Sequence, residues 1–324
     1  MRSLDRCVRD SLCAVVLGVV ASAPAARAAQ PVSVVVPFAA GGPADVGARL
    51  VAPYLTELIK RPVIVENKPG ATGIIGIREV ARSAPDGSTI LLGTSSSMGS
   101  SPAVSPHLPY DVFKDFVPVG TIATSEVVLV VHPSVPAKDL RGFIAYAKAN
   151  PGKIAYGTSG IGSTFHLGSE LFASQTGTVL THVPYKGAGP AAQDLLAGHI
   201  QMMMESLSTA GPNIRSGKVK ALGITSSQRN RQFPDIPTLA EQGVTGCDYA
   251  QWIAFFVPAG TPRTIVDELN GRLNAVLTNE EVGDKFAKLG MQVAPGTPAD
   301  LAARLHADAL QWSRVARLAN IRAE

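Results

Sequence analysis

The stretch SVVVPFAAGGPADVGARL, residues 33–50, carries an apolar strand through a glycine turn straight into a helix. Val34, Val35 and Val36 are β-branched and unrelieved by polar residues, the pattern of a strand buried on both faces of a parallel sheet. Pro37 ends the strand, Gly41 and Gly42 permit backbone angles closed to other residues, and Pro43 suits a first helical position. Val46, Leu50, Tyr54 and Leu58 recur at helical spacing, which predicts a helix from Pro43 onward. A helix starting here aims its unpaired N–H groups, and the positive end of its dipole, above the strand end. A carboxylate or phosphate is held at such a place with no charged side chain required, although a merely tight strand-to-helix turn would read the same way. The dinucleotide fingerprint G-x-G-x-x-G is not met by Gly41, Gly42 and Gly47, and the Gly-Lys-Ser/Thr of a phosphate loop is missing.

Residues 1–28 read as a secretory leader: Arg2, Arg6 and Arg9 precede an apolar core from Leu12 to about Ala21, and Ala26-Arg27-Ala28 forms a small-x-small cleavage pattern with the cut expected after Ala28. The apolar run is short for a membrane span, and no later segment approaches the roughly 18 apolar residues one needs. Cys7 and Cys13 would leave with the leader, so Cys247 remains alone and no internal disulfide is expected. Export places the protein in the periplasm. Without the leader the chain carries 25 basic against 23 acidic residues, so much of its high isoelectric point belongs to the leader. No basic run with interleaved aromatics appears, which argues against nucleic acid.

Strand-like and helix-like segments alternate almost to the end, the signature of an α/β protein with mostly parallel sheets. Strands are expected at 62–66 and 89–93 and a helix at 73–82, followed by an irregular Ser/Pro-rich crossing over 95–110. A second series has strands at 153–157, 181–184, 201–205 and 219–225 with helices at 138–149, 164–176 and 188–197. Helices over 262–277, 280–289 and 298–320 finish the chain. Two apolar strands, 127–132 and 252–257, bracket the middle series. The economical architecture is two lobes joined by those two hinge crossings: 29–126 plus 258–324 as lobe 1 and 133–251 as lobe 2. One continuous sheet is the alternative.

Residues 157–164, GTSGIGST, repeat the strand–glycine–helix device and add hydroxyls at the helix start, so the two turns together could grip an acid by both ends. Ordinary capping is the competing reading of these residues. His166 follows Ser163 closely enough to suggest a nucleophile and base, but the G-x-S-x-G elbow is missing, and a metal site on His166 and Glu170 lacks a third ligand. His166 therefore packs or touches a ligand beside the turn. Tyr185 offers a ring and a hydroxyl, Asp45 sits in the first turn of its helix, and Glu205 closes an apolar strand where a carboxylate would select against a second anion or attract an ammonium. No cofactor or metal is expected.

Taken together, VPFAAGGPADVGARL at 36–50, ENKPGATGIIG at 66–76, PDGSTILLG at 85–93, YDVFKDFVPVG at 110–120, YGTSGIGSTFHLGSELF at 156–172, HVPYKGAGPAAQDLLAGHIQMMM at 182–204, PDIPTLAEQG at 234–243 and WIAFFVPAGTP at 252–262 resemble the substrate-binding proteins of tripartite tricarboxylate transporters, the Bug receptor family. The resemblance implies a Venus-flytrap, type II periplasmic-binding-protein fold. It also implies a monomeric, non-catalytic receptor that passes a small carboxylate to membrane permease subunits, with a sensor kinase as a further possible partner. It assigns ligand contacts to Phe38, Ala39, Gly41, Gly42 and Asp45 in the first turn and to Ser159, Gly162, Ser163 and Thr164 in the second. Ser95, Tyr185 and Glu205 line the variable end. The family often has prolines where Ala39 and Ala40 stand and Asp where Glu205 stands. Two rivals from other classes are a Ser163/His166 hydrolase, which turnover of an ester or amide would reveal, and an adhesion protein, which would show no ligand-dependent stabilisation.

Overall fold

The computed structural model describes residues 30–70, 73–105 and 107–321, so the expected leader lies outside the described residues. In chain order the first elements are β1 (Val32–Val36), α1 (Pro43–Ile59), β2 (Val63–Asn67), α2 (Ile74–Ala81), β3 (Thr89–Thr94), a π-helical turn (Ser95–Ser100), α3 (Ser101–Val104) and β4 (Phe116–Val131). The middle holds α4 (Leu140–Ala149), β5 (Ala155–Thr158), α5 (Thr164–Thr176), β6 (Thr181–Pro184), α6 (Ala188–Ala197), β7 (Met202–Ser206), α7 (Leu207–Arg215) and β8 (Lys220–Ile224). The chain ends with β9 (Ala250–Pro258), α8 (Arg263–Leu277), α9 (Glu280–Lys288), β10 (Gln292–Val293) and α10 (Pro298–Leu318).

These elements form two α/β lobes that share β4. In lobe 1 the strand order is β2-β1-β3-β9-β4, with β1 parallel to β2 and β3, and β9 antiparallel to both β3 and β4. In lobe 2 the order is β6-β5-β7-β4-β8, with β5 parallel to β6 and β7, and β4 antiparallel to both β7 and β8. Each lobe thus takes one antiparallel strand as a crossing strand. The small strand β10 adds to the lobe 1 part of β4.

The apolar runs follow from burial on both faces. Val127, Leu129 and Val131 of β4 join one core of lobe 2 with Phe143, Tyr156, Phe172 and Met204, while Val128 and Val130 join the other with Leu195, Met203 and Ile224. Burying each such side chain contributes about 1.5–3 kcal/mol. Helix ends are closed locally: Asp139 accepts from the Gly142 N–H at 2.7 Å, and Thr297 with Asp300 forms a capping box on α10.

The strands at 127–132 and 252–257, expected as hinge crossings, are paired within the sheets next to the points where the chain changes lobe. Residues 127–131 pair with β7 and β8 in lobe 2, and residues 252–257 pair with β3 and β4 in lobe 1. Their unbroken apolarity records two-sided burial rather than a crossing. The chain changes sheet at Glu126–Val127, in the middle of the 16-residue β4, and again just before Ala250. The start of β4 was hidden from sequence by Pro118, Gly120 and two register shifts.

The last helix also departs from the expected boundary. Leu301 and Leu305 of α10 sit in a lobe 1 core, whereas Trp312, Val315 and Ala316 sit in a lobe 2 core, so α10 straps both lobes. Trp252 of β9 adds to the strap by donating its indole N–H to Asp308 at 2.8 Å. The segment 95–104, expected to be irregular, is helical. A reciprocal bond pair starts it: Thr94 Oγ1 accepts the Ser97 N–H and Ser97 Oγ accepts the Thr94 N–H, both at 3.1 Å. Serine-rich sequence reads as loop because the same hydroxyls that cap a helix also compete with one.

Candidate functional site

The C-terminal ends of β1 and β3, the start of β9 and the middle of β4 lie along one edge of lobe 1, and the ends of β5, β6 and β7 lie along an edge of lobe 2. These edges meet where β4 crosses. At the crossing Ser125 Oγ lies 2.6 Å from Ser206 Oγ and 3.3 Å from the Gly290 carbonyl.

On the lobe 1 edge the first glycine turn runs from Phe38 to Gly42. Gly41 takes φ +85°, a region that glycine enters without strain, and Gly42 is the extended N-cap of α1. Val46 donates the first ladder bond, to Gly42 at 2.9 Å, so the amides of Ala44 and Asp45 precede the ladder and Pro43 has none to offer. A Cβ at Gly42 would meet only the Ala39 carbonyl, at 3.8 Å, so the turn keeps open space beside it. Ala39 and Gly41 are exposed, and Phe38 is half-buried against the lobe 1 core.

Asp45 holds this turn from behind. Its carboxylate, 3% exposed, accepts the Gly41 N–H at 2.9 Å, the Arg49 Nε at 3.0 Å and the Asn67 Nδ2 at 2.9 Å. Asn67 also donates to the Phe38 carbonyl at 3.1 Å and accepts from Arg49 Nη2 at 2.8 Å, so one side chain on β2 ties both ends of the turn. Burial by itself would raise the Asp45 carboxyl, but the bonds from Arg49, Gly41 and Asn67 outweigh it and hold its pKa below the ordinary value. Asp45, expected to touch ligand, is therefore committed to protein partners. The Gly41 amide is committed with it.

Ser95 is buried at the end of β3 and donates to Gln251 Oε1 at 2.7 Å. The next residues reach across to lobe 2. Ser96 Oγ accepts the Thr164 N–H at 3.3 Å, Ser100 Oγ donates to the Gly162 carbonyl at 2.9 Å, and both hydroxyls lie 3.2 Å from Thr164 Oγ1.

The second glycine turn is thus already engaged. Ser163 caps α5 by accepting the His166 N–H at 3.2 Å, and the Gly162 N–H donates to His166 Nδ1 at 3.2 Å. Gly162, Ser163 and Thr164 are all buried; Ser159 is half-buried. The His166 ring stacks on His182 with centroids 3.8 Å apart, and Tyr156 packs against both, 5.0 Å from His182 and 6.4 Å from His166. Burial first, then the neighbouring His182 ring, pushes His166 down to about 3, and burial pushes His182 down to about 4. Both rings are neutral at pH 7. Ser163 and His166 meet through backbone and capping bonds, which is the bonding of a helix start and not of a nucleophile with its base.

Two residues expected at the variable end have their own partners. The Tyr185 hydroxyl donates to Asp194 Oδ2 at 2.6 Å, and burial followed by that bond raises the phenol to about 12, so the hydroxyl is used within lobe 2. Glu205 is 3% exposed beside Thr209, and burial raises its carboxyl; it shares a face of β7 with Met203. Ser96, Ser100, Asn67 and Gln251 were missed. A signal existed for Gln251, a polar residue at the start of an otherwise apolar strand, and a weaker one for Asn67, which ends β2 after Glu66, but their partners lie in other segments.

Two surface clefts, of about 400 and 530 Å³, lie elsewhere: one between α5 and the end of α10, the other among Glu126, residues 228–233 and residues 287–292. Neither is lined by a residue of the glycine turns. Among the described residues no cluster of His, Cys, Asp or Glu is arranged to hold a metal, and no helix is long and apolar enough to cross a membrane.

Comparison with known proteins agrees with this geometry. The family described as tripartite tricarboxylate transporter family receptor matches residues 47–320. Protein BugT of Bordetella pertussis is 39% identical over 291 residues, covering 89% of each chain. Rpa4515 of R. palustris, solved with adipate, superposes with a TM-score of 0.84 at 34% identity over 91% of this chain and 98% of that one. MatC from Rhodopseudomonas palustris, solved with bound malate, gives 0.80 at 34% over 89% and 99%. Receptors of this kind are periplasmic and bind substrates without transforming them, which removes the hydrolase alternative. With two lobes sharing a crossing strand, glycine turns on both facing edges and relatives matched nearly end to end, this chain belongs to the tripartite tricarboxylate transporter receptor family.

Proposed function

We propose that this protein captures a small carboxylate between its lobes in the periplasm and delivers it to the permease subunits of a tripartite transporter, after removal of a leader ending at Ala28. The observation that carries this reading is the preorganised first turn. Asp45, Arg49 and Asn67 fix it from the protein side, which leaves the Ala44 and Asp45 amides at the start of a 17-residue helix to face an anion. Phe38, Ala39 and Gly42 supply the walls. Relatives solved with adipate and malate support a dicarboxylic or hydroxy acid as the ligand class.

The second turn completes the grip in this reading. Ser159 faces the acid, and Ser96 and Ser100 hold Gly162 and Thr164 in place from lobe 1, so closure carries part of the site across with it. Hydrogen bonds to a charged group are roughly twice as strong as neutral ones, and enclosure between lobes removes the competing water.

A thermal-shift screen tests the reading with straight-chain mono- and dicarboxylic acids of two to ten carbons plus malate. At a hundredfold excess over its dissociation constant, a bound acid stabilises by roughly 2.7 kcal/mol. Gly42→Trp fills the open side of the first turn and abolishes the shift. A full shift in that variant contradicts the placement.

A further inference from the structure

We propose that Gln251 is a ligand-contacting residue: its side-chain Nε2 donates to the acid held at the start of α1, with Ser95 fixing the orientation of the amide. The inference rests on the proposed carboxylate site and adds a residue to it.

Three observations place Gln251 there. It sits at the start of β9, paired with Ser125 one residue before the crossing of β4, on the edge where the lobes meet. Two residues along the same face, Ile253 fills the space over Gly47 of α1, where a Cβ would come within 2.4 Å of Ile253 Cδ1. Gln251 therefore lies beyond Ile253 toward the strand end, as the first turn of α1 lies beyond Gly47 toward the helix start. Gln251 and the Ala44 and Asp45 amides converge from the sheet side and the helix side.

The third observation is the state of the amide. Gln251 Oε1 accepts from the Ser95 hydroxyl at 2.7 Å, whereas Nε2 is sealed from solvent and has no hydrogen-bond partner among the described residues. A buried donor without an acceptor is costly, so its retention calls for an acceptor that arrives from outside the fold. A carboxylate oxygen supplies one. Ser95 then acts as the group that turns the donor toward the ligand. No titratable protein side chain takes part in the contact, so its pH dependence in the native protein follows the ionisation of the bound acid alone.

The test uses the full mature protein and the acid that gives the largest thermal shift in the panel above, with affinities from isothermal titration. Gln251→Leu keeps the approximate volume and removes the donor, and it weakens binding roughly 10- to 100-fold, the range for a bond to a charged group. Gln251→Glu keeps the shape and brings a negative charge, so the ratio of its affinity to that of the wild type, measured at each pH, falls as pH rises from 4 to 7, a change in ratio that a merely structural role would not produce. Melting temperatures without ligand establish that each variant folds. Wild-type affinity in both Gln251 variants, with binding lost in Gly42→Trp, overturns the role of Gln251 and leaves the site standing. Binding retained in Gly42→Trp, or no acid in the panel bound by the wild type, overturns the site and this inference with it.

Discussion

Asp45 places a negative charge in the same helical turn that is to cradle another negative charge. Arg49 resolves the conflict by neutralising it, and the bonds from Gly41 and Asn67 turn both carboxylate oxygens back into the protein. Asp45→Ala leaves the Gly41 and Asn67 donors without their acceptor and should lower the unfolding free energy by about 1–3 kcal/mol in urea titrations, while also weakening acid binding. Unchanged stability would show the network to be incidental. Ser163→Ala removes a cap and should cost about 1 kcal/mol with only a modest loss of affinity. The sequence placed Asp45 in the first turn of a helix correctly but could not name its partners, because Asn67 lies 22 residues away on the next strand. The partner of Tyr185 was hidden for the same reason: its hydroxyl bonds to Asp194, on the following helix.

At the level of elements, strands and helices were legible wherever burial imposed a simple period, and obscure where small or polar residues did the packing. The buried face of α1 is Ala44, Ala48, Val51, Leu55 and Ile59, and the apolar row that reveals the helix, Val46, Leu50, Tyr54 and Leu58, runs beside it, with Leu50 and Tyr54 partly buried and Leu58 43% exposed. Alanines and Gly47 let the helix approach the sheet closely, so its contact stripe is the smaller one. The stack of Tyr156, His182 and His166 beneath the second turn was likewise invisible, since its members come from three elements. That stack has a pH signature. Both imidazoles titrate below the ordinary 6.5 because burial disfavours their charged form, so between about pH 6.5 and 3 the unfolded chain binds protons that the native protein does not. Their contribution to stability is complete above pH 6.5 and is lost on acidification. Calorimetry should show the melting temperature falling from pH 7 to pH 5, with a shallower slope in a His166→Gln, His182→Gln double variant. An equal slope in that variant would assign the dependence to other groups.

For the molecule as a whole, two lobes with the same strand order share β4 and are strapped by α10. Alternating strands and helices make an α/β fold legible in the sequence, whereas the exact crossing points are not, because two-sided burial and a lobe crossing both produce long apolar runs. The double allegiance of α10 was unreadable, since one amphipathic stripe does not reveal that it serves two cores. Trp312 anchors its far end at 1% exposure, so Trp312→Ala should cost about 3–5 kcal/mol and loosen the strap, measured as lost stability and a larger radius of gyration in solution. A variant as stable and compact as the wild type would mean that α10 does not hold the lobes together. The capture of an acid by main-chain amides is checked by a crystal structure of the protein with the acid that stabilises it most. The account predicts a carboxylate within hydrogen-bond distance of the Ala44 and Asp45 amides, between the turn at 38–42 and the turn at 157–164. An acid lodged in another cleft, with both turns unoccupied, would contradict it.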